Sequence, residues 1–457
     1  MKTTSFLLST AICLASLASS LDPITVKGNA FYQGNDRFYI RGVDYQPGGS
    51  SKAIDPLADA DNCKRDVPYF KDLGLNTIRV YTVDNSANHD ECMQELSDAG
   101  IYLLLDVNTP KNSINRADPA PSYNADYLQA VFATIDAFKG YDNVLGFFAG
   151  NEVINSVNTT GPAPYVKAVV RDMKSYISAQ SKRAIPVGYS AADIAQNRWQ
   201  QMEYFNCGDD SERIDLFGMN DYSWCGPASS FQISGYQANV QNYGNYSLPL
   251  FFSEYGCNTV QPRTFPEISA IYNTEMTSVY SGGLVYEYSS EGNDYGLVNI
   301  TGSNVTTLSD YDALKSQLAK YPDPTGAGGA STTNSAASCP PFQSGLWEVD
   351  PSSSLPALPS GAETYIKNGA GKPLGLSGPS TQFGSSSDDD NGSSSASASA
   401  TASSGAASSG GSSTASAKAT HTSKGAAGHV EVPHFLTTTV LGAGAYITVF
   451  FAIGLAL

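Results

Sequence analysis

The sequence predicts an α/β fold: a (β/α)8 TIM barrel followed by a C-terminal extension and a disordered Ser-rich tail. Two observations predict it. Eight short apolar runs of β type recur between Phe38 and Ser289, and stretches of helical period separate them. Continuous apolar strands alternating with amphipathic helices describe a parallel sheet covered by helices, and eight units in about 300 residues match a closed barrel. A doubly wound open sheet fits less well, because no Gly-rich phosphate loop follows the first run.

The runs, in order, are Phe38–Tyr45, Thr77–Val83, Ile101–Val107, Val144–Val153, Ala184–Ser190, Leu216–Trp224, Pro249–Gly256 and Gly282–Ser289. Between them, Asn62–Leu73 places Cys63, Val67, Phe70 and Leu73 on one helical face. Tyr127–Phe138 does the same with Leu128, Val131, Phe132, Ile135 and Phe138, and Tyr165–Ile177 with Val166, Val169, Val170, Met173 and Ile177. The barrel is expected over residues 21–321.

The ends of the chain point to export. Residues 1–20 carry an early Lys2, an apolar stretch and small residues near Ser20, the pattern of a secretory signal peptide. Composition changes near Tyr321. Residues 322–383 read as a linker and an extension, and residues 384–428 as a Ser/Ala/Gly-rich stalk too polar to bury a core. Residues 429–457 combine a short polar spacer with an uncharged apolar end. Together with the small residues Ser423, Gly425, Ala426 and Ala427 they resemble a GPI-anchor signal. A C-terminal transmembrane anchor is the alternative. Either way the protein is expected outside the cell, held at the membrane face or passed to the wall. Five sequons, at Asn158, Asn245, Asn299, Asn304 and Asn391, are surface-loop glycosylation candidates.

Composition narrows the chemistry. The chain has 457 residues, 43 Asp+Glu and 26 Lys+Arg, for a net charge of −17. That balance argues against nucleic acid. Four His are present, and His89 alone lies within the barrel region. A Ser-His-Asp triad and a multi-His zinc site are therefore disfavoured, and neither metal nor cofactor is expected. His89 precedes a predicted helix rather than ending a strand, so it is expected to be solvated. The 27 Tyr suit a neutral, ring-shaped ligand. Without Cys13, six Cys remain, which permits three disulfides in 15 connectivities.

In such barrels the active site lies at the C-terminal ends of the strands. There the runs offer Arg41, Asp44, Arg79, Tyr81, Asp106, Asn108, Asn151, Glu152, Asn220, Tyr222, Glu254 and Tyr286. Glu152 follows the apolar GFFAG and Glu254 follows LPLFFS; burying either unpaired is costly, so both are expected at the barrel mouth. Two carboxyls facing one cavity are what glycoside cleavage requires. Taken singly, each is better read as a rim ion pair. Asn151 is placed to bond a sugar hydroxyl and Tyr222 to orient Glu254, while Tyr81, Trp224, Tyr255 and Tyr286 are candidate stacking platforms. One of the two carboxyls would have to start protonated, raised by apolar surroundings and by the charge of the other.

The stretches FYIRGVDYQPGG, GLNTIRVYTVD, YLLLDVNTP, FFAGNEVIN, NDYSWCG, FFSEYGC and GGLVYEYSSE are similar to the fungal GPI-anchored cell-wall β-1,3-glucanosyltransferases of glycoside hydrolase family 72, the Gas/Gel/Phr group. The resemblance implies an enzyme that cleaves an internal β-1,3-glucan bond with retention. It then transfers the new reducing end to the non-reducing end of another β-1,3-glucan chain. Donor and acceptor glucan chains are the implied partners, and a monomer is expected. It further implies Glu152 as acid/base, Glu254 as nucleophile, and Tyr81, Asp106, Asn108, Arg116, Asn151, Asp193, Arg198, Tyr222 and Tyr286 as substrate-binding or orienting residues. The implied disulfides are Cys63–Cys92, Cys207–Cys339 and Cys225–Cys257, the second tying the extension back to the barrel. No cysteines remain for the Cys-rich carbohydrate-binding module that some members carry. The alternatives are a retaining β-1,3-endoglucanase and a non-catalytic wall-binding or adhesion protein.

Overall fold

The computed structural model describes residues 21–49 and 52–383; the segments expected to be a leader, a stalk with Asn391, and an anchor signal lie outside the described residues. Eight parallel strands close a barrel: β1 (Ile40–Asp44), β2 (Thr77–Val80), β3 (Tyr102–Asp106), β4 (Val144–Asn151), β5 (Val187–Ala192), β6 (Leu216–Asp221), β7 (Leu250–Tyr255) and β8 (Tyr280–Val285), with β8 pairing β1. Each lies within the predicted runs or overlaps them. The strands are shorter because the ladder stops where polar residues turn into the mouth: β6 ends at Asp221, leaving Tyr222 and Trp224 on a loop.

Helices cover the outside, among them α1 (Ala60–Leu73), α2 (Asp90–Asp98), α3 (Ala125–Phe138), α4 (Ala163–Gln180), α5 (Arg198–Asn206), α6 (Tyr236–Tyr243) and α7 (Ser309–Lys320). Their ends are written locally. Asp59 accepts from the first free amides of α1, and Asn124 accepts from Tyr127 N at the start of α3. Among the described residues no helix is long and apolar enough to cross a membrane.

An N-terminal antiparallel sheet, Ile24–Lys27, Ala30–Gln33 and Asp36–Phe38, closes the bottom of the barrel. Its Phe31 meets Phe251 edge-on at 5.7 Å, within an apolar layer that includes Ile40, Leu104, Phe148, Leu216 and Leu284. Strand approach is close enough to require glycine. A Cβ at Gly282, whose φ is 87, would lie 2.1 Å from the Ile40 carbonyl oxygen. The barrel is thus apolar below and polar above.

Three disulfides form, Cys63–Cys92, Cys207–Cys339 and Cys225–Cys257. Residues 322–383 lie against the barrel's outer layer. Trp347 is fully buried against Tyr204, and helix α8 (Ala362–Asn368) packs on α4 and α3. Asn158, Asn245, Asn299 and Asn304 are all exposed. Asn299 and Asn304 stand on the strands of a hairpin, Val298–Thr301 with Asn304–Thr307, rather than on loops. The expectation for His89 is corrected. It is 2% exposed, its Nε2 lies 2.7 Å from Asp55 Oδ2, and its ring packs 4.4 Å from that of Phe138. The carboxylate supplies the partner that water would otherwise give.

Candidate active site

The polar upper layer is organised by one cation. Arg79, on β2, is fully buried and donates through Nε and Nη2 to Asp106 at 2.9 and 3.2 Å. Its Nη1 donates to Glu254 Oε1 at 3.2 Å and to the Ser253 carbonyl at 3.3 Å. The rings of Tyr81 and Phe148 flank the guanidinium at 4.3 and 4.8 Å. Burial pulls its pKa down, but the Asp106 charge and its neighbours prevail, and the group is held well above its ordinary value.

Glu254, on β7, receives three donors. Tyr81 Oη bonds Oε1 at 2.8 Å beside Arg79, and Tyr222 Oη bonds Oε2 at 2.7 Å. Burial pushes its carboxyl up to about 7; Arg79 opposes this, Glu152 adds to it, and the two tyrosine hydroxyls oppose it. Of the two glutamates, Glu254 is the more deeply enclosed.

Glu152 sits one residue past β4 with φ 48, a left-handed conformation that costs a non-glycine residue on the order of 1 kcal/mol. Both sides of its peptide are fixed. Its N–H donates to Ser190 O at 2.8 Å, and its carbonyl accepts from Arg116 Nη2 at 2.6 Å. Asn220 Nδ2 donates to Glu152 Oε1 at 2.9 Å and to Asn151 Oδ1 at 3.1 Å. The end of β6 therefore serves both carboxyls, Asn220 holding Glu152 and Tyr222 holding Glu254.

The other expected residues divide. Tyr81, Asn151 and Tyr222 join the two glutamates. Tyr286 is half-buried and makes edge contacts with Tyr222 at 6.4 Å and Tyr295 at 5.2 Å. Asp106 is 4% exposed with both oxygens on Arg79, so its place is beneath the site rather than in a groove. Asn108 donates to Ala149 O and accepts from Tyr127 Oη. Arg116 donates Nε to Val153 O at 2.8 Å as well as Nη2 to Glu152 O, so its bonds are to backbone. Asp193 and Arg198 pair with each other at 2.9 Å; burial, then the Asp221 charge, raises Asp193 to about 7 against the pull of Arg198. Tyr255 and Trp224 are not platforms. They are 1% and 7% exposed, packed against Phe252 and Tyr236 respectively.

Arg79, Asn220 and Asp44 matter more than their strand-end position alone conveyed. Asp44 is fully buried, and neither carboxyl oxygen is met in hydrogen-bond geometry. Burial, then the charge of Glu254, lifts it well above the ordinary range, with Arg79 opposing. A carboxyl raised in the folded state keeps a proton that the unfolded chain releases above about pH 4, so stability falls as pH rises from there through the folded value. Asp44→Asn removes this loss. Its thermal midpoint relative to the parent protein is expected to climb by a few degrees between pH 4 and pH 7. A calorimetric difference that stays constant with pH would contradict a neutral Asp44.

The family model for glucanosyltransferases of glycoside hydrolase family 72 matches residues 13–322. The 1,3-beta-glucanosyltransferase GAS5 of Saccharomyces cerevisiae is 60% identical over 386 residues, 83% of this chain and 79% of that protein. The 1,3-beta-glucanosyltransferase gel1 of Aspergillus fumigatus is 59% identical over 372 residues, 81% of this chain and 82% of that protein. Among solved structures, Saccharomyces cerevisiae Gas2p in complex with laminaripentaose aligns with a TM-score of 0.69 at 41% identity, covering 75% of this chain and 78% of that one. The chain belongs to the glucanosyltransferases of glycoside hydrolase family 72.

Proposed function

We propose that the protein is a β-1,3-glucanosyltransferase that works with retention, with Glu254 as nucleophile and Glu152 as acid/base. The observation that carries this is the shared strand end, Asn220 on one carboxyl and Tyr222 on the other, above a buried Arg79. In the first step a Glu254 oxygen bonds the anomeric carbon as the glycosidic C–O bond breaks, and Glu152 gives its proton to the departing oxygen. In the second, Glu152 takes the proton of an acceptor hydroxyl, which displaces Glu254 and restores the β configuration. Arg79, Tyr81 and Tyr222 all donate to Glu254 and so favour its ionised, attacking form. Transfer exceeds hydrolysis when an acceptor sugar is positioned better than water; the Tyr222, Tyr286 and Tyr295 cluster beside Glu254 supplies ring surface for that task. Donor and acceptor are β-1,3-glucan chains. The exported chain acts outside the cell as a monomer, held by a GPI anchor at the plasma membrane or carried into the wall. Its domains follow the sequence boundaries.

Product sizing tests the reaction. Incubation with one reduced laminari-oligosaccharide is expected to yield chains longer than the substrate, with Glu152→Gln inactive and folded. Only shorter products would make the protein an endoglucanase, and no cleavage at all a binding protein.

Tyr222→Phe tests the ionised nucleophile. Removing a donor from the charged form raises the Glu254 pKa above its value of about 7. The acid limb of the rate profile is expected to move to higher pH, and kcat at neutral pH to fall about tenfold or more. An unmoved acid limb would dissociate Tyr222 from that titration.

A further inference from the structure

The end of the extension, Leu374–Phe383, lies along the loop Asn108–Arg116 that follows β3. Lys111 Nζ donates to the carbonyls of Leu376 and Gly378, both at 3.1 Å. In return, Thr381 N and Ser380 Oγ donate to the Lys111 carbonyl, each at 3.1 Å. Gln382 Nε2 donates to Pro110 O at 3.0 Å and Ser113 Oγ at 2.7 Å. The segment is itself pinned from below: Gly375 N donates to Asn85 Oδ1 at 3.0 Å, and Asn124 Nδ2 donates to Thr381 O at 2.8 Å.

The far end of the same loop is Arg116, whose guanidinium grips the carbonyls of Glu152 and Val153. Glu152 occupies a left-handed conformation that a glutamate does not favour by itself. Such a conformation persists only when the surroundings over-determine it, and Arg116 is one of the two groups that hold the Glu152 peptide. Between its ends the loop has modest anchorage of its own. It has a tight turn between Thr109 and Asn112, buried Ile114, and the bond from Asn115 N to Ser122 Oγ.

We propose that the segment Leu374–Phe383 is a latch that holds the Asn108–Arg116 loop, so that Arg116 positions Glu152 for proton transfer. Lys111 and Gln382 are positioning residues on the two sides of the latch. They act through Arg116 on the orientation of the acid/base group, so their loss lowers turnover rather than substrate affinity. The connection also means that the last described turn before the Ser-rich tract is part of the catalytic body.

The proposal rests on Glu152 as acid/base. It is tested in the full-length protein with Lys111→Met combined with Gln382→Ala, and with Lys111→Arg, which keeps a donor, as the conservative variant. Cleavage of a reduced laminari-oligosaccharide, thermal midpoint and amide hydrogen exchange over residues 109–116 are measured together. The double variant is expected to lose about tenfold in kcat with KM within about twofold, a thermal midpoint within about 2 °C, and faster exchange in the loop. Lys111→Arg is expected to keep most of the turnover. Faster exchange with unchanged kcat would overturn the link to Glu152. Unchanged exchange would overturn the latch, and a fall in kcat that follows the thermal midpoint would reduce the segment to general support. A fully active Glu152→Gln protein would remove the functional reading. An inactive one with a loop indifferent to the double variant would remove only the latch.

Discussion

Glu254→Gln is expected to reduce transfer and hydrolysis together by on the order of 10⁴-fold or more, because no other described group is placed to replace the attacking oxygen. The side chain keeps its volume, so packing is preserved. Its amide nitrogen cannot accept from Tyr222, or alternatively from Tyr81 and Arg79, which disturbs one side of the donor set. Against this, removing a carboxyl relieves its repulsion with Glu152. The thermal midpoint is therefore expected to move only a few degrees, which calorimetry checks. A sharper discrimination uses the cavity variants with azide. In Glu254→Gly, azide enters in place of the nucleophile and a single displacement gives the α-glycosyl azide. In Glu152→Ala, azide attacks the glycosyl-enzyme from the acceptor side and gives the β-glycosyl azide. NMR of the products reads the assignment directly, and the reverse pairing of anomers would exchange the two roles.

Arg79→Met is expected to carry the largest stability loss. Arg79 is fully buried and Asp106 is 4% exposed, so the variant strands an ionised carboxylate in the upper barrel and removes the cation beside Glu254. Breaking one side of a buried pair costs about 3–5 kcal/mol, because the remaining charge has lost its partner without regaining water. In a domain of this size that lowers the thermal midpoint by about 5 °C. Adding Asp106→Leu to Arg79→Met removes the orphaned charge and is expected to recover most of the loss, while activity stays low because Glu254 lacks its cation. Equal destabilisation in the single and double variants, measured by calorimetry, would show that packing against Tyr81 and Phe148 dominates instead.

The fold class was legible because eight apolar runs with helical stretches between them have few three-dimensional solutions. Glu152 and Glu254 were legible because a charged residue directly after a buried strand has one inexpensive direction, toward the mouth. The surroundings of those carboxyls were much less so. Tyr255 follows Glu254, and alternation along β7 turns it into the packing behind the sheet while Glu254 faces the cavity. Trp224 is close in sequence to Tyr222 yet buried on Tyr236.

Asp106, Asn108 and Arg116 carry polar side chains that suit a sugar, and in the fold their bonds go to Arg79, to Ala149 and Tyr127, and to the backbone around Glu152. His89 follows the same logic: its partner Asp55 comes from a different loop, and that pairing permits its burial. By itself the sequence determined the barrel, and it placed Glu152 and Glu254 at the ends of two of its strands. Only the tertiary structure decided which polar groups face those glutamates and which hold the scaffold. The reason is physical: strand register and inter-loop contacts bring together residues such as Arg79 and Glu254, 175 positions apart, and local sequence carries no record of that distance.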